Sequence, residues 1–320
     1  MDHPAIPEAD LSRVRTVPIA RRANRVEPSL LGHPPGADRS FDAFLAGLPD
    51  ILAAADLRAV IAAVAAAAGR RGVIAQIGGH VIKTGMGPLL IRLMERRAIT
   101  HLAMNSAASI HDFELCAFGG TSEDVAAGLA DGTFGMAEET GREMNAAFRT
   151  GQARNWGMGE SLARALEARP SLPGRDHSVL LAGLRLGVQV TVHAAIGTDV
   201  IHQHPDADGA ALGDTSFRDF KRLAAAVPSL HDGGVVLNLG SAVIMPEVFL
   251  KALTIARNLE GGRPTDFTAV DFDMIRHYRP RVNVVERPTL AGGKGYSITG
   301  HHELLVPLLV WGVDAALRRR

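Results

Sequence analysis

Cysteine is almost missing from this chain. One residue, Cys116, among 320 excludes an intrachain disulfide and a cysteine-built zinc site. Its setting in "FELCAFGG" reads as a buried small hydrophobe in a reducing compartment. Aromatic residues are equally sparse at 5%, too few for an aromatic-rich β-sandwich, so the 47% of hydrophobic residues must pack largely through alanine and valine, as helices on strands do. Net charge is absent too: 34 basic side chains balance 34 acidic ones, which leaves nothing that calls for a nucleic acid. No apolar run reaches the roughly 20 residues of a membrane span. The opening "MDHPAIPEADLSRVR" lacks the apolar stretch of a signal peptide. A soluble cytoplasmic protein with neither membrane nor nucleic-acid partners is therefore expected.

Familiar site signatures are missing as well. A P-loop requires G-x-x-x-x-G-K-[ST], because the hydroxyl after the lysine binds the metal; in "LAGGKGYSITGHHELL" Lys294 is followed by Gly295. No G-x-G-x-x-G follows a first strand, and no G-x-S-x-G nucleophile elbow occurs.

What is present is alternation. Residues 1–40 are rich in Pro, Arg and Asp without periodicity and read as an N-terminal arm lying on the surface or on a neighbouring subunit. From residue 41 to 320 a single α/β domain is expected. Helical "FDAFLAGLPDILAAADLRAVIAAVAAAAGRRG" leads to the apolar run "VIAQIGG", the kind a buried parallel strand shows. "MGPLLIRLMERRA" is an amphipathic helix with Pro88 in its first turn, "ITHLAMNSA" a strand, and "SIHDFELCAFG" a helix capped at Ser109. Residues 119–175 interrupt as a helical insertion. Strands at Val188–Ala195, "GGVVLNLGSA" and "FTAVDF" then alternate with helices, the last being "HELLVPLLVWGVDAAL". Such units imply a Rossmann-like parallel sheet with helices on both faces.

In that architecture ligands sit at the carboxyl ends of the strands. The segments placed there are "GGHVIKTG", "NSAASIHD", "HAAIGTDVIHQHPDADGAALGD" and "NLGSAVIMPE". Small residues and hydroxyls at such turns leave backbone N–H groups free for a pyrophosphate, although tight packing selects the same residues. His202 and His204 lie two apart beside Asp206 and Asp208, which admits a transition-metal site or a polar loop. In "HDFE", Asp112 and Glu114 follow His111 at a helix start, where carboxylates are favoured by the dipole alone.

Taken in order, the segments from about residue 70 to 315 resemble the deoxyhypusine synthase family. The run from "GGHVIKTG" to "NSAASIHDFE" is similar to its S-N-L-I-S-S-G turn, helix and V-T-T-A-G-G-V-E-E-D; "DGAALGD" to its D-G-S-L-G-D; "LNLGSAVIMPEVF" to its L-G-G-G-V-V-K-H-H-I; and "ELLVPLLV" to its S-L-V-F-P-L-L-V. The resemblance implies an NAD-binding fold and a homotetramer built as a dimer of dimers. It also implies a reaction in which spermidine is oxidised with NAD and its aminobutyl group passes through an enzyme lysine to an acceptor amine. The NAD positions it implies are His80, Asn105, Ser106, Ala107, Asp112, Asp199, Gly240, Ser241, His301 and His302, with Asp214, Asp208 and Glu286 toward the amine.

The departures define the expectation further. Matched without a gap, Pro288 stands where the family has its imine-forming lysine, Glu286 where it has a pocket tryptophan, and Pro246 and Glu247 where it has two histidines. Lys294, in a glycine-rich loop closing the pocket, is the candidate substitute lysine, and Glu247 the candidate base or cation binder. The expected protein is an NAD-binding enzyme acting on a small amine or polyamine, by aminoalkyl transfer or NAD-dependent oxidation. The alternatives are an inactive oligomeric nucleotide-binding protein and a metal-dependent hydrolase using His202 and His204.

Overall fold

The computed structural model describes residues 6–320; the first five residues of the expected arm lie outside the described residues. Residues 6–40 hold only short 3-10 turns and are almost wholly exposed. The body begins with α1 (Phe41–Gly47), whose Ser40 cap accepts a hydrogen bond from Ala43 N at 3.1 Å, and α2 (Leu52–Ala67). Then follow β1 (Val73–Ile77), α3 (Gly79–Lys83), α4 (Gly87–Glu95), β2 (His101–Asn105) and α5 (Ser106–Phe118). The expected Ser109 cap is corrected: the cap is Asn105, four residues earlier, whose Oδ1 accepts from Ala108 N at 3.0 Å.

The helical insertion comprises α6 (Val125–Asp131), α7 (Glu138–Arg154) and α8 (Met158–Glu167), and α9 (Val179–Leu186) leads to β3 (Gln189–His193). The chain ends with α10 (Gly209–Ala226), β4 (Val235–Leu239), α11 (Ile244–Leu259), β5 (Phe267–Asp273), a π-helix (Pro280–Glu286), α12 (Arg287–Thr289), β6 (Gly293–Thr299) and α13 (His302–Arg318). No helix of the described residues is long and apolar enough to cross a membrane.

The six strands form one parallel sheet in the order β3-β2-β1-β4-β5-β6. Register is set at the centre by Ile77 against both Met104 and Leu239. Parallel strands buried on both faces need continuous apolar runs, and β1 and β4 are buried at every position. One core packs α2, α4 and α13 on Ala75, Leu102, Leu237 and Phe272; a second packs α10 and α11 on Ile74, Ala103, Val236 and Ala269. The expected α/β class with helices on both faces is borne out. One element differs: "GGKGYSIT" is an edge strand and not a loop.

Candidate functional site

With strands in the order 3-2-1-4-5-6, the chain leaves β1 toward one edge and β4 toward the other, so the segments after them diverge and open a crevice. Its floor is bare backbone. Gly78 N–H donates to Leu239 O at 3.0 Å, and a Cβ on Gly78 would stand 2.1 Å from Gly240 O. Gly240 has φ +63°, and a Cβ there would stand 2.6 Å from His302 Cε1. Glycine is the residue that satisfies both contacts.

Because the strands are parallel, α5, α11 and α13 all begin at this edge, with Ser106, Ile244 and His302. Their first N–H groups and dipoles favour an anion. Ser241 Oγ accepts from Met245 N at 3.2 Å. His302 is buried with Nε2 3.2 Å from Phe272 O, its ring edge-on to exposed His80 at 5.7 Å, and its Nδ1 has no partner. This glycine floor and three helix starts fit the pyrophosphate part of a dinucleotide; His302 Nε2–H is spent on Phe272 O, which leaves Nδ1 as an acceptor. At the end of β2, where a carboxylate commonly holds a ribose, Asn105 is spent as a cap. The nearest carboxylate is Asp199, which accepts from Ser106 Oγ.

Asp199 and His202 have side chains only 5% and 7% exposed. His202 Nδ1 accepts from Gly197 N at 3.1 Å, so in the neutral ring the proton sits on Nε2, 3.8 Å from Asp199 Oδ2. Burial raises the Asp199 pKa, while Ser106 and His202 pull it back. Two further carboxylates escape a reading of the sequence. Asp271 and Asp273 point to one face of β5 and end it; Asp271 accepts from Asn238 Nδ2 at 2.8 Å and is pushed up to about 6 by burial, with Asp273 adding repulsion. The signal was available in "VDFD", where acids alternate with apolar residues in a strand pattern.

Beside the crevice, beyond the ends of β2 and β3, lies a cavity of about 570 Å³. The start of α5 and the helical insertion enclose it, with Lys83, His111, Glu114, Glu139 and Asp199 on its wall.

Several expected site residues are elsewhere. Lys294 is corrected: it is exposed near the amino end of β6, in register with Thr268, and the strand carries it five residues, about 16 Å, from the carboxyl edge. Pro288 lies on the amino side too, its carbonyl accepting from Arg257 Nη2 in the last turn of α11 at 2.8 Å. Asp112 is corrected as well: only 1% exposed, it takes Ser178 Oγ, Val179 N and Leu180 N and thereby anchors the start of α9. Burial pushes its pKa up to about 6.

The three acids expected at the amine do not converge. Asp208 caps α10 through Ala210 N at 2.8 Å, Asp214 pairs with Arg218 at 3.1 Å, and Glu286 pairs with Arg281 at 2.6 Å. His301 is exposed, 3.8 Å from Glu303. Glu247 does lie at the carboxyl edge, in the first turn of α11, taking Asn283 Nδ2 at 2.8 Å and ion-pairing with Lys251 and Arg279, contacts that lower its pKa. The metal reading is overturned. His204 Nε2 meets Gly135 O at 2.8 Å while His202 turns to Asp199, and the described residues hold no group of three metal-ligating side chains.

No protein-family model and no curated protein matches this sequence. Solved structures do. A protein assigned as deoxyhypusine synthase from Entamoeba histolytica superposes with a TM-score of 0.52 at 10% identity, covering 89% of this chain and 96% of that one. The fold is deoxyhypusine-synthase-like. An LOR/SDH protein from Methanococcus maripaludis S2 gives 0.51 at 17% identity, covering 83% and 71%. AgrE, solved as a ternary complex with ornithine and NAD+, gives 0.51 at 14%, covering 83% of this chain but 34% of its own. A cyanobacterial arginine dihydrolase, ArgZ, is likewise matched over 33% of its length. The chain thus spans about a third of these two larger proteins. At such identities the likeness concerns the deoxyhypusine-synthase-like fold itself.

Proposed function

We propose that the chain binds NAD in the crevice between β1 and β4 and oxidises a small amine there. The observation that carries this reading is the crevice floor, where Gly78 and Gly240 meet so closely that no side chain fits, facing the starts of three helices. His80, Ser106, Ala107, Gly240, Ser241 and His302 would hold the nucleotide. Bound NAD would supply a hydride acceptor for the carbon that bears the nitrogen. The carboxylates at this edge, Asp199, Asp271, Asp273 and Glu247, suit a cationic substrate, since a buried ammonium needs paired anions. AgrE, which shares the fold, was solved with ornithine and NAD+, and this supports the pairing of nucleotide and amine.

Lys294 is remote from the crevice and Lys251 is committed to Glu247, so an aminoalkyl transfer would fall to Lys83 on the cavity wall. The test is to denature purified protein and assay the released nucleotide, then titrate NAD into the refolded or apo protein by calorimetry. Saturable binding is expected, and Gly240→Ala should weaken it by at least about tenfold, or 1.4 kcal/mol, with an unchanged circular dichroism spectrum. A folded wild-type protein that neither releases nor binds NAD refutes the reading.

A further inference from the structure

The cavity of about 570 Å³ beside the crevice lies within the range of small-molecule sites, and its wall has an unusual charge arrangement. Lys83 is the one lysine or arginine among its described lining residues; Glu114, Glu123, Glu139 and Asp199 are the acids. Apolar Ala107, Ile110 and Phe134 lie between them. A ligand matched to this wall carries one carboxylate for Lys83 and more than one ammonium for the acids; Asp199 is the buried one, whereas Lys83, Glu123 and Glu139 are exposed at the rim.

His111 gives the cavity a fixed neutral acceptor. Thr121 Oγ1 donates to Glu114 Oε2 at 2.5 Å, so its single proton is spent and His111 Nδ1, 2.8 Å away, must donate to it. Thr140 Oγ1 donates to the other oxygen of Glu114 at 2.9 Å and locks that carboxylate in place. The free lone pair is therefore on Nε2. The carbon beside it, Cδ2, packs on the turn after β1, where a Cβ on Gly79 would stand 3.3 Å away. Burial, with the Lys83 charge adding to it, pushes the His111 pKa down to about 4, so the ring stays an acceptor at neutral pH. Asp199, on the same wall, is held by Ser106 and flanked by the unpartnered Nε2 of His202.

We propose that this cavity binds a dibasic amino acid, with its carboxylate on Lys83, one ammonium accepted by His111 Nε2 and Asp199, and the other facing Glu139. The assignment names the substrate class for the amine chemistry proposed above and rests on that reading for the reaction, though not for binding.

The test uses the full chain saturated with NAD and three probes followed by calorimetry: L-ornithine, putrescine, which lacks the carboxylate, and L-norvaline, which lacks the second amine. L-Ornithine is expected to bind at least about tenfold more tightly than either, a difference of 1.4 kcal/mol. Lys83→Met should reduce ornithine to the putrescine level while leaving putrescine unchanged. In histidine-labelled protein, the His111 Nε2 resonance should move on saturation with ornithine. Equal affinity for ornithine and putrescine, an unaltered Lys83→Met variant that is folded by circular dichroism, or a stationary His111 resonance each overturn the assignment. If NAD binds and ornithine does not, this cavity is wrong and the nucleotide reading stands; if ornithine binds and NAD does not, the cavity stands and the nucleotide reading falls.

Discussion

His101 and His193 share one hydroxyl: both Nε2 atoms lie on Thr191 Oγ1, at 2.9 and 3.0 Å. Thr191 can donate once, so at least one ring donates to it, and both stay neutral in the buried layer beneath α10. Burial lowers their pKa values to about 4 and about 3, the latter helped by repulsion between the rings. In the unfolded chain a histidine binds a proton near 6.5, so acid favours unfolding, and the pair's contribution to stability is lost as pH falls below 6.5. Asp112, Asp219 and Asp271 act oppositely: raised to about 6, 7 and 6, they hold protons in the native state that the unfolded chain has released, so they cost stability as pH rises through the same range. His193→Asn should therefore make the slope of unfolding free energy against pH less positive between 4 and 6, by about 1.4 kcal/mol per pH unit, measured by urea titration at several pH values; an unchanged slope would show that His193 titrates normally. At the crevice floor, Gly78→Ala should cost about 3 kcal/mol by overpacking, because the atom it meets is a backbone carbonyl that cannot rotate away.

Two elements show how pairing overrides local composition. "GGKGYSIT" is glycine-rich and reads as a loop, yet it pairs residue by residue with β5 from Phe267–Gly293 to Asp273–Thr299. Gly292 and Gly293, at φ +100° and +104°, turn the chain into that register. Lys294→Ala should accordingly leave NAD affinity within about twofold, roughly 0.4 kcal/mol; a large loss would return Lys294 to the site. At the other edge, β3 has no strand neighbour on its outer side, and α10 supplies the missing acceptors. Asp219 Oδ2 takes Val192 N at 2.9 Å and Gly159 N at 2.8 Å, and Ser216 Oγ takes Ala194 N at 2.9 Å. An edge so covered does not recruit another strand. Asp219→Ala should expose both amides, raising hydrogen exchange at Val192 and Gly159 and lowering stability by about 2 kcal/mol; unaltered exchange at those amides would contradict it.

At the scale of the molecule, the arm and the body obey different rules. Ile6, Leu11, Val14, Val17, Ile19 and Val26 are all more than half exposed, so the arm gains little from its own body. Removing residues 1–29 should leave the melting temperature within about 4 °C, the upper end of the shift that about 1 kcal/mol brings to a domain of 150–250 residues. An arm that lies on a neighbouring subunit predicts that the same truncation reduces the mass seen by light scattering; an unchanged mass contradicts that placement. A large drop in melting temperature would show instead that the arm belongs to the core.

The alternation of apolar runs and amphipathic helices was legible along the chain because burial on both faces of a parallel sheet selects it locally. So were the small-residue segments at strand ends, and with them the placement of His80, Ser106 and Gly240 at that edge, whereas His302 was reached only through the family resemblance. The identity of the partners was not. Asp112 and Asp199 follow neighbouring strands, yet one anchors a helix inside the core and the other faces a cavity; His202 and His204, two apart, turn to different groups. Lys294 could be placed only once β6 had paired, since strand direction decides which end of the sheet a residue occupies. Composition and period are properties of neighbours in the chain, whereas a site is set by which strand ends adjoin, and that depends on the order β3-β2-β1-β4-β5-β6, which only the tertiary structure decides.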